Sequence, residues 1–236
     1  LVTHNETSTG VTNDIAAISR AINGRALLLV DGVSSIGALP FDCDTWGVDV
    51  AVTDSQKAFM SPPGIVAVSV SPRAWAASEQ ARCSRFYWDF AKAQQYLAQG
   101  QTFTTPALAT LFSVQTALGI LDAEGKEAVF ARHRDLARHT RQQLQALGFP
   151  PMGDGKHPSD VVTAAYVPEG VDGKKLVALL REEHQIIISG GQQALAGKII
   201  RIGHVGWVQR AELDAVFEAL RVTLPRVGGR TAVAVG

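Results

Sequence analysis

A lysine that closes an apolar run has two readings. In TDSQKAFMSPPG, residues 53–64, Lys57 follows the apolar run 48–52 and precedes a Pro-Pro-Gly stop. Taken alone, it is a solvated loop residue. At the carboxyl end of a strand its amine is a nucleophile able to form a Schiff base with a carbonyl, and pyridoxal phosphate offers an aldehyde for that reaction. Such chemistry needs companions. A carboxylate must keep the pyridine nitrogen protonated so that the ring draws electrons; Asp31, 26 residues earlier at the end of another apolar run, is a candidate. Val33, two residues on, can pack against the ring face. Backbone and side-chain donors around Ser55 and Gln56 suit a phosphate. Arg201, just after Ile199 and Ile200, is the bidentate candidate for a substrate carboxylate. Plainer readings stand beside these: Asp31 before Gly32 as a turn carboxylate, residues 7–10 as a helix cap, and Arg201 as a surface ion-pair former.

The elements that must position these residues follow from the apolar pattern. Runs at 27–30, 48–52 and 65–70 end or begin at Asp31, Thr53-Asp54 and Gly64, and each is continuous enough for a strand covered on both faces. Between the opening strand-like residues and Leu27, Ile15, Ile18 and Ile22 follow a polar Thr12-Asn13-Asp14, which predicts a capped helix. This order argues for an α/β fold with a largely parallel sheet. Ligands in such sheets bind beyond the carboxyl ends of the strands, where residues 4–10, 31–35 and 53–57 all fall. After Pro106 the pattern is helical through Leu108, Leu111, Phe112, Gln115, Leu118 and Leu121, and again over 124–147, stopping at Gly148. Strands at 161–167, 186–189 and 199–202 with helices at 173–184 and 210–223 then predict a smaller α+β unit. The boundary is placed near Gly125, giving units 1–124 and 125–224 and a flexible tail, 225–236.

Composition excludes several classes. With 236 residues and 46% hydrophobic content, the chain buries one large core or two modest ones. Lys plus Arg and Asp plus Glu both total 22, so no net field gathers nucleic acid or anionic lipid. Cys43 and Cys83 lack a C-x-x-C spacing, which argues against a disulfide framework or metal site and for a reducing cytoplasm. No apolar run approaches the roughly 20 residues that span a bilayer. The chain has no initiator Met and starts as if inside a strand, so it reads as a fragment.

THNETSTG (3–10), LLLVDGVSSIGALPFDCDTWGVDVAVTDSQKA (27–58) with its following PPG, Ala131-Arg132-His133 and KIIRIGHVG (198–206) together resemble the class-V pyridoxal-phosphate aminotransferases. More narrowly, they resemble the alanine–glyoxylate and serine–glyoxylate branch. The resemblance implies the PLP-transferase type I fold, with part of the large domain and the small C-terminal domain present. It implies Lys57 as the Schiff-base lysine and proton carrier, Asp31 as pyridinium partner, Val33 under the ring, Gln56 on the phosphate and Thr7 on the phenolic oxygen. It implies Arg201 as the arginine that takes the amino acid's carboxylate. Thr105, with Thr102 as a second contact, matches a threonine that reaches the neighbouring subunit's phosphate, so a homodimer with shared active sites is implied. The activity implied is transamination from serine or alanine to glyoxylate, with small amino acids and 2-oxo acids as partners. Two departures stand out: Asp54 occupies a position where many members carry Gly, and the family's upstream glycine loop and stacking aromatic residue are not in this sequence.

Two other readings are carried. Cysteine desulfurases share the fold, but usually place His where Gln56 stands and a nucleophilic Cys on a mobile loop, which neither Cys43 nor Cys83 matches. A non-catalytic fragment serving as a binding or assembly module is the other. His4 and His204 are expected to be structural.

Overall fold

The computed structural model describes residues 1–153 and 155–229. The chain opens with β1 (Val2–Thr3), an antiparallel pair β2 (Asn5–Glu6) and β3 (Val11–Thr12), and helix α1 (Ile15–Ile22). Asp14 caps α1, its carboxylate accepting the Ala17 N–H at 2.8 Å. Strands β4 (Leu29–Asp31), β5 (Val50–Asp54) and β6 (Val66–Val70) complete a sheet of order β1-β4-β5-β6. The first two pairings are parallel; β6 returns antiparallel because only a short link joins it to β5. Ile15 of α1 packs against Leu28, Val30 and Ala51 to form the core of this α/β layer.

The expectation of cover on both sheet faces is not met by the described residues. Leu29 is 36%, Val66 55% and Val68 38% exposed. An apolar run records two faces able to be buried, and here the face of Leu29, Val66 and Val68 lacks a covering element among the described residues, while β6 is exposed on its other face as well. β4 also starts later than the run 27–30 suggests, because the Leu28 N–H goes to the buried carboxylate of Asp49 at 2.8 Å.

Two helices follow that periodicity did not announce, α2 (Pro72–Glu79) and α3 (Phe90–Leu97). Their start signals were legible: Ser71 caps α2 with Pro72 in its first turn, and Asp89 caps α3. Helices α4 (Leu108–Glu124) and α5 (Lys126–Ala146) are separated by Gly125, whose φ of +86° turns the chain. Beyond them, β7 (Val162–Tyr166), α6 (Gly173–His184), β8 (Ser189–Gly190), β9 (Ile199–Gly203) and α7 (Arg210–Thr223) form an antiparallel three-stranded sheet of order β7-β9-β8 with helices against it. Leu136, Leu144, Leu176, Ile200, Phe217 and Leu220 form its core.

Two boundaries differ from expectation. The strand expected at 186–189 is reduced to Ser189–Gly190, since Ile187 points outward and is 78% exposed. The flexible tail expected from 225 starts as structure: Leu224–Val227 makes a 3₁₀ turn, Leu224 and Val227 are buried, and the Val227 carbonyl accepts the Asp172 N–H at 3.0 Å. The remainder of that expected tail, 230–236, lies outside the described residues. Among the described residues no helix is long and apolar enough to cross a membrane.

Candidate active site

Parallel pairing sets the ends of β1, β4 and β5 side by side, and the three segments that carry the expected site residues leave the sheet there. Thr7 Oγ1 and Ser34 Oγ lie 2.8 Å apart, joining the segment after β1 to the one after β4. His4 Nδ1 lies 2.9 Å from Ser35 Oγ and is buried against Phe41 and Trp46. Asp31, the last residue of β4, pairs with Thr3 on one side and Val52 on the other, and its carboxylate accepts the Val33 N–H at 3.0 Å. The segment 55–57 leaves β5 beside it.

The second sheet closes the site. Thr7, Ser34, Lys57, Ser189, Arg201 and Val205 line one cavity of about 170 Å³. Arg201 lies within β9, and two backbone carbonyls hold its guanidinium plane: Nε donates to Gly190 O at 3.0 Å and Nη1 to Thr7 O at 3.2 Å. Glu6 stands nearby. Its carboxylate accepts the Ser8 hydroxyl and N–H, which hold it below the usual range, and the Arg201 charge adds to that effect.

Asp54 is the unusual group. Burial raises its carboxyl above the ordinary value and the like charge of Asp31 adds to this, while Gln56 and Lys57 oppose it. The Gln56 amide donates to Oδ2, and buried Oδ1 finds no hydrogen-bond partner among the described residues.

The sequence-expected residues therefore divide. Thr7, Lys57 and Arg201 share the cavity, with Asp31 and Val33 at the neighbouring strand end. Gln56 is exposed and engaged by Asp54. Both donors of Ser55 are engaged within its own loop: its hydroxyl donates to Pro62 O at 2.7 Å and its N–H to Ile65 O at 3.0 Å, where the chain comes back into β6. Thr102 and Thr105 are exposed and do not line this cavity; the Thr102 hydroxyl donates to Thr104 O at 2.7 Å. Ser34 falls in the segment 31–35 expected at the strand ends but was not singled out, and Ser189 and Val205 were missed, since only chain folding brings them to Lys57.

The family model described as aminotransferase class-V matches residues 1–216. The "soluble hydrogenase, small subunit" of Synechococcus sp. is 41% identical over 230 residues, covering 97% of this chain and 60% of that protein. The serine–glyoxylate aminotransferase of Methylorubrum extorquens is 42% identical over 235 residues, covering 95% of this chain and 58% of that one. The crystal structure of pyridoxamine–pyruvate aminotransferase from Mesorhizobium loti superposes with a TM-score of 0.91 at 30% identity, over 98% of this chain and 62% of that one. The chain thus spans about three fifths of the length of these proteins. The extent of the family match and these identities carry one conclusion: the chain belongs to the class-V aminotransferase family.

Proposed function

We propose that this protein transfers an amino group from a small amino acid, serine or alanine, to glyoxylate with pyridoxal phosphate as cofactor. The observation that carries the reading is the convergence of Lys57, Thr7 and Arg201 on one cavity, with the Asp31 carboxylate at the adjacent strand end. This donor set suits the cofactor: an amine for its aldehyde, an acid for its ring nitrogen and a hydroxyl for its phenolic oxygen. Pyridoxal phosphate, when bound, supplies an electron-withdrawing ring that makes the substrate's Cα–H acidic.

Each residue then has a task. Arg201, its plane fixed by Gly190 and Thr7, takes the substrate carboxylate and orients Cα. With the cofactor bound, Lys57 Nζ would be the base that moves the substrate's Cα proton. Asp31 holds a proton on the ring nitrogen, and Val33 packs on the ring. Gln56, whose amide donates to Asp54, would supply a contact to the phosphate. We further propose a division into a large and a small unit near Gly125, and a cytoplasmic homodimer in which Thr105 and Thr102 reach the partner's phosphate. The exposure of both threonines away from their own cavity supports that last reading.

Replacing Lys57 by Ala in the full protein tests the proposal. The visible absorbance that develops with pyridoxal phosphate should disappear, and serine- and alanine-dependent amino transfer to glyoxylate should fall to background. Normal turnover in Lys57→Ala would refute it.

A further inference from the structure

Ala131-Arg132-His133 stood out in the sequence, yet none of the chemistry above uses it. In the fold it meets the segment that runs from Arg201 towards Lys57. His133 is fully buried in α5. Its Nδ1 lies 2.8 Å from the Val129 carbonyl, so Nδ1 carries the hydrogen; Nε2 accepts the Gly206 N–H at 3.1 Å. Both bonds require the neutral ring, and burial lowers the pKa in the same direction.

Arg132 takes the other side of the same residue. Its Nη1 donates to the Gly206 carbonyl at 2.7 Å, while Nε and Nη2 form a fork on Glu124 at 2.7 and 3.0 Å. Gly206 is therefore held at both its N–H and its C=O. It sits against the lysine: at its φ of +84°, a Cβ here would lie 3.1 Å from the Lys57 carbonyl and 3.4 Å from Met60 Cγ. Between the two ends, the fully buried His204 bonds the Asp160 carbonyl through Nδ1 at 3.1 Å and the Thr163 hydroxyl through Nε2 at 2.9 Å. Arg201, Gly203 and Val205 alternate with these anchors and line the cavity.

We propose that His133 and Arg132 are positioning residues that clamp Gly206, and through it fix the Lys57 backbone relative to Arg201. Neither touches the cavity; both act through one glycine peptide that abuts the Lys57 carbonyl. Because Arg201 keeps its own bonds to Gly190 and Thr7, loosening the clamp displaces the lysine end and spares the carboxylate end. The kinetic part of the test rests on the transaminase reading; the other parts do not.

The test compares His133→Leu, which removes the acceptor, with His133→Gln, whose amide oxygen can take the Gly206 N–H. In the full protein, His133→Leu should speed hydrogen exchange at the Gly206 amide at least about tenfold. Labelling of Lys57 by pyridoxal phosphate and cyanoborohydride, read by peptide mass, should slow about five- to tenfold. With serine and glyoxylate, kcat should fall about 10- to 100-fold while KM stays within about threefold, as expected for misplacement without loss of substrate binding. His133→Gln should recover most of each effect. If His133→Leu does not fold, Arg132→Lys, which keeps the charge and loses the fork, should give the same pattern in labelling and kcat. Unchanged Lys57 labelling in folded variants would overturn the clamp, as would equal losses in Leu and Gln variants that follow melting temperature alone. A wild type that labels Lys57 normally but transfers no amino group would sink the transaminase reading, and labelling and exchange would still decide the clamp.

Discussion

At Arg201 a substitution separates the proposed carboxylate contact from the backbone bonds that the side chain makes. Its Nε and Nη1 are spent on the carbonyls of Gly190 and Thr7, which fix the plane that a carboxylate must meet. Lysine offers a point charge without the planar fork and cannot reproduce that arrangement. Arg201→Lys should keep the colour of the bound cofactor and weaken serine and alanine binding by about 1.5 to 3 kcal/mol, the scale of hydrogen bonds to charged groups. An amine without a carboxylate should bind unchanged. Spectral titration of wild type and variant with all three ligands checks this; equal losses for all three would make Arg201 a support of the fold. Its place in the cavity was reachable from its type and strand position, whereas the inward bonds of Ser55 were not. A sequence names a donor without saying whether the loop will consume it.

At the scale of elements, the strand that carries Arg201 depends on how α6 meets the loop before β9. Asp172 caps α6, accepting the Lys174 and Lys175 N–H groups at 3.1 and 3.0 Å. The next residue, Gly173, has no room for a side chain: a Cβ would lie 2.4 Å from the Gly197 carbonyl oxygen and 2.8 Å from Val167 Cγ2. Helix propensity alone favours Ala over Gly by roughly 1 kcal/mol. Steric contact with backbone outweighs it, because the loop 191–198 must shift. Gly173→Ala should therefore destabilise the protein by about 1 to 3 kcal/mol, on the scale of other overpacked sites. Urea denaturation decides the sign, and a stabilised variant would show that the loop yields freely.

The whole molecule buries several histidines in neutral form, and this sets its response to acid. Burial lowers His4 from 6.5 to about 4 and His204 from 6.5 to about 3, and the charge of Arg141 adds to the effect on His204. His133 moves the same way. Below pH 6.5 the unfolded chain takes up protons that the folded chain refuses, so stability is full above that pH and falls as pH drops towards the folded values. Each such histidine contributes up to about 1.4 kcal/mol per pH unit. Urea unfolding between pH 7.5 and 5, where most carboxylates stay ionised, should show this fall, and His4→Gln should remove about one proton from the slope. A flat profile would mean that these rings protonate inside the fold.

Alternating apolar runs, a capped α1 and helical periodicity over α4 to α7 were enough to read an α/β unit followed by an α+β one from the sequence, because each signal is local and repeats with its element's own period. The positions of Asp31 at the end of β4 and of Lys57 just beyond β5 were legible for the same reason, since an apolar run stops before each. Contacts that join distant segments were decided only by the tertiary structure. Nothing in the spacing ties Gly206 to His133, 73 residues away, or Thr7 to Arg201, 194 residues away. Nor does it tell which sheet face finds cover. These depend on which helix reaches which strand, and a chain's local pattern does not contain the packing that brings two remote backbones within hydrogen-bond distance.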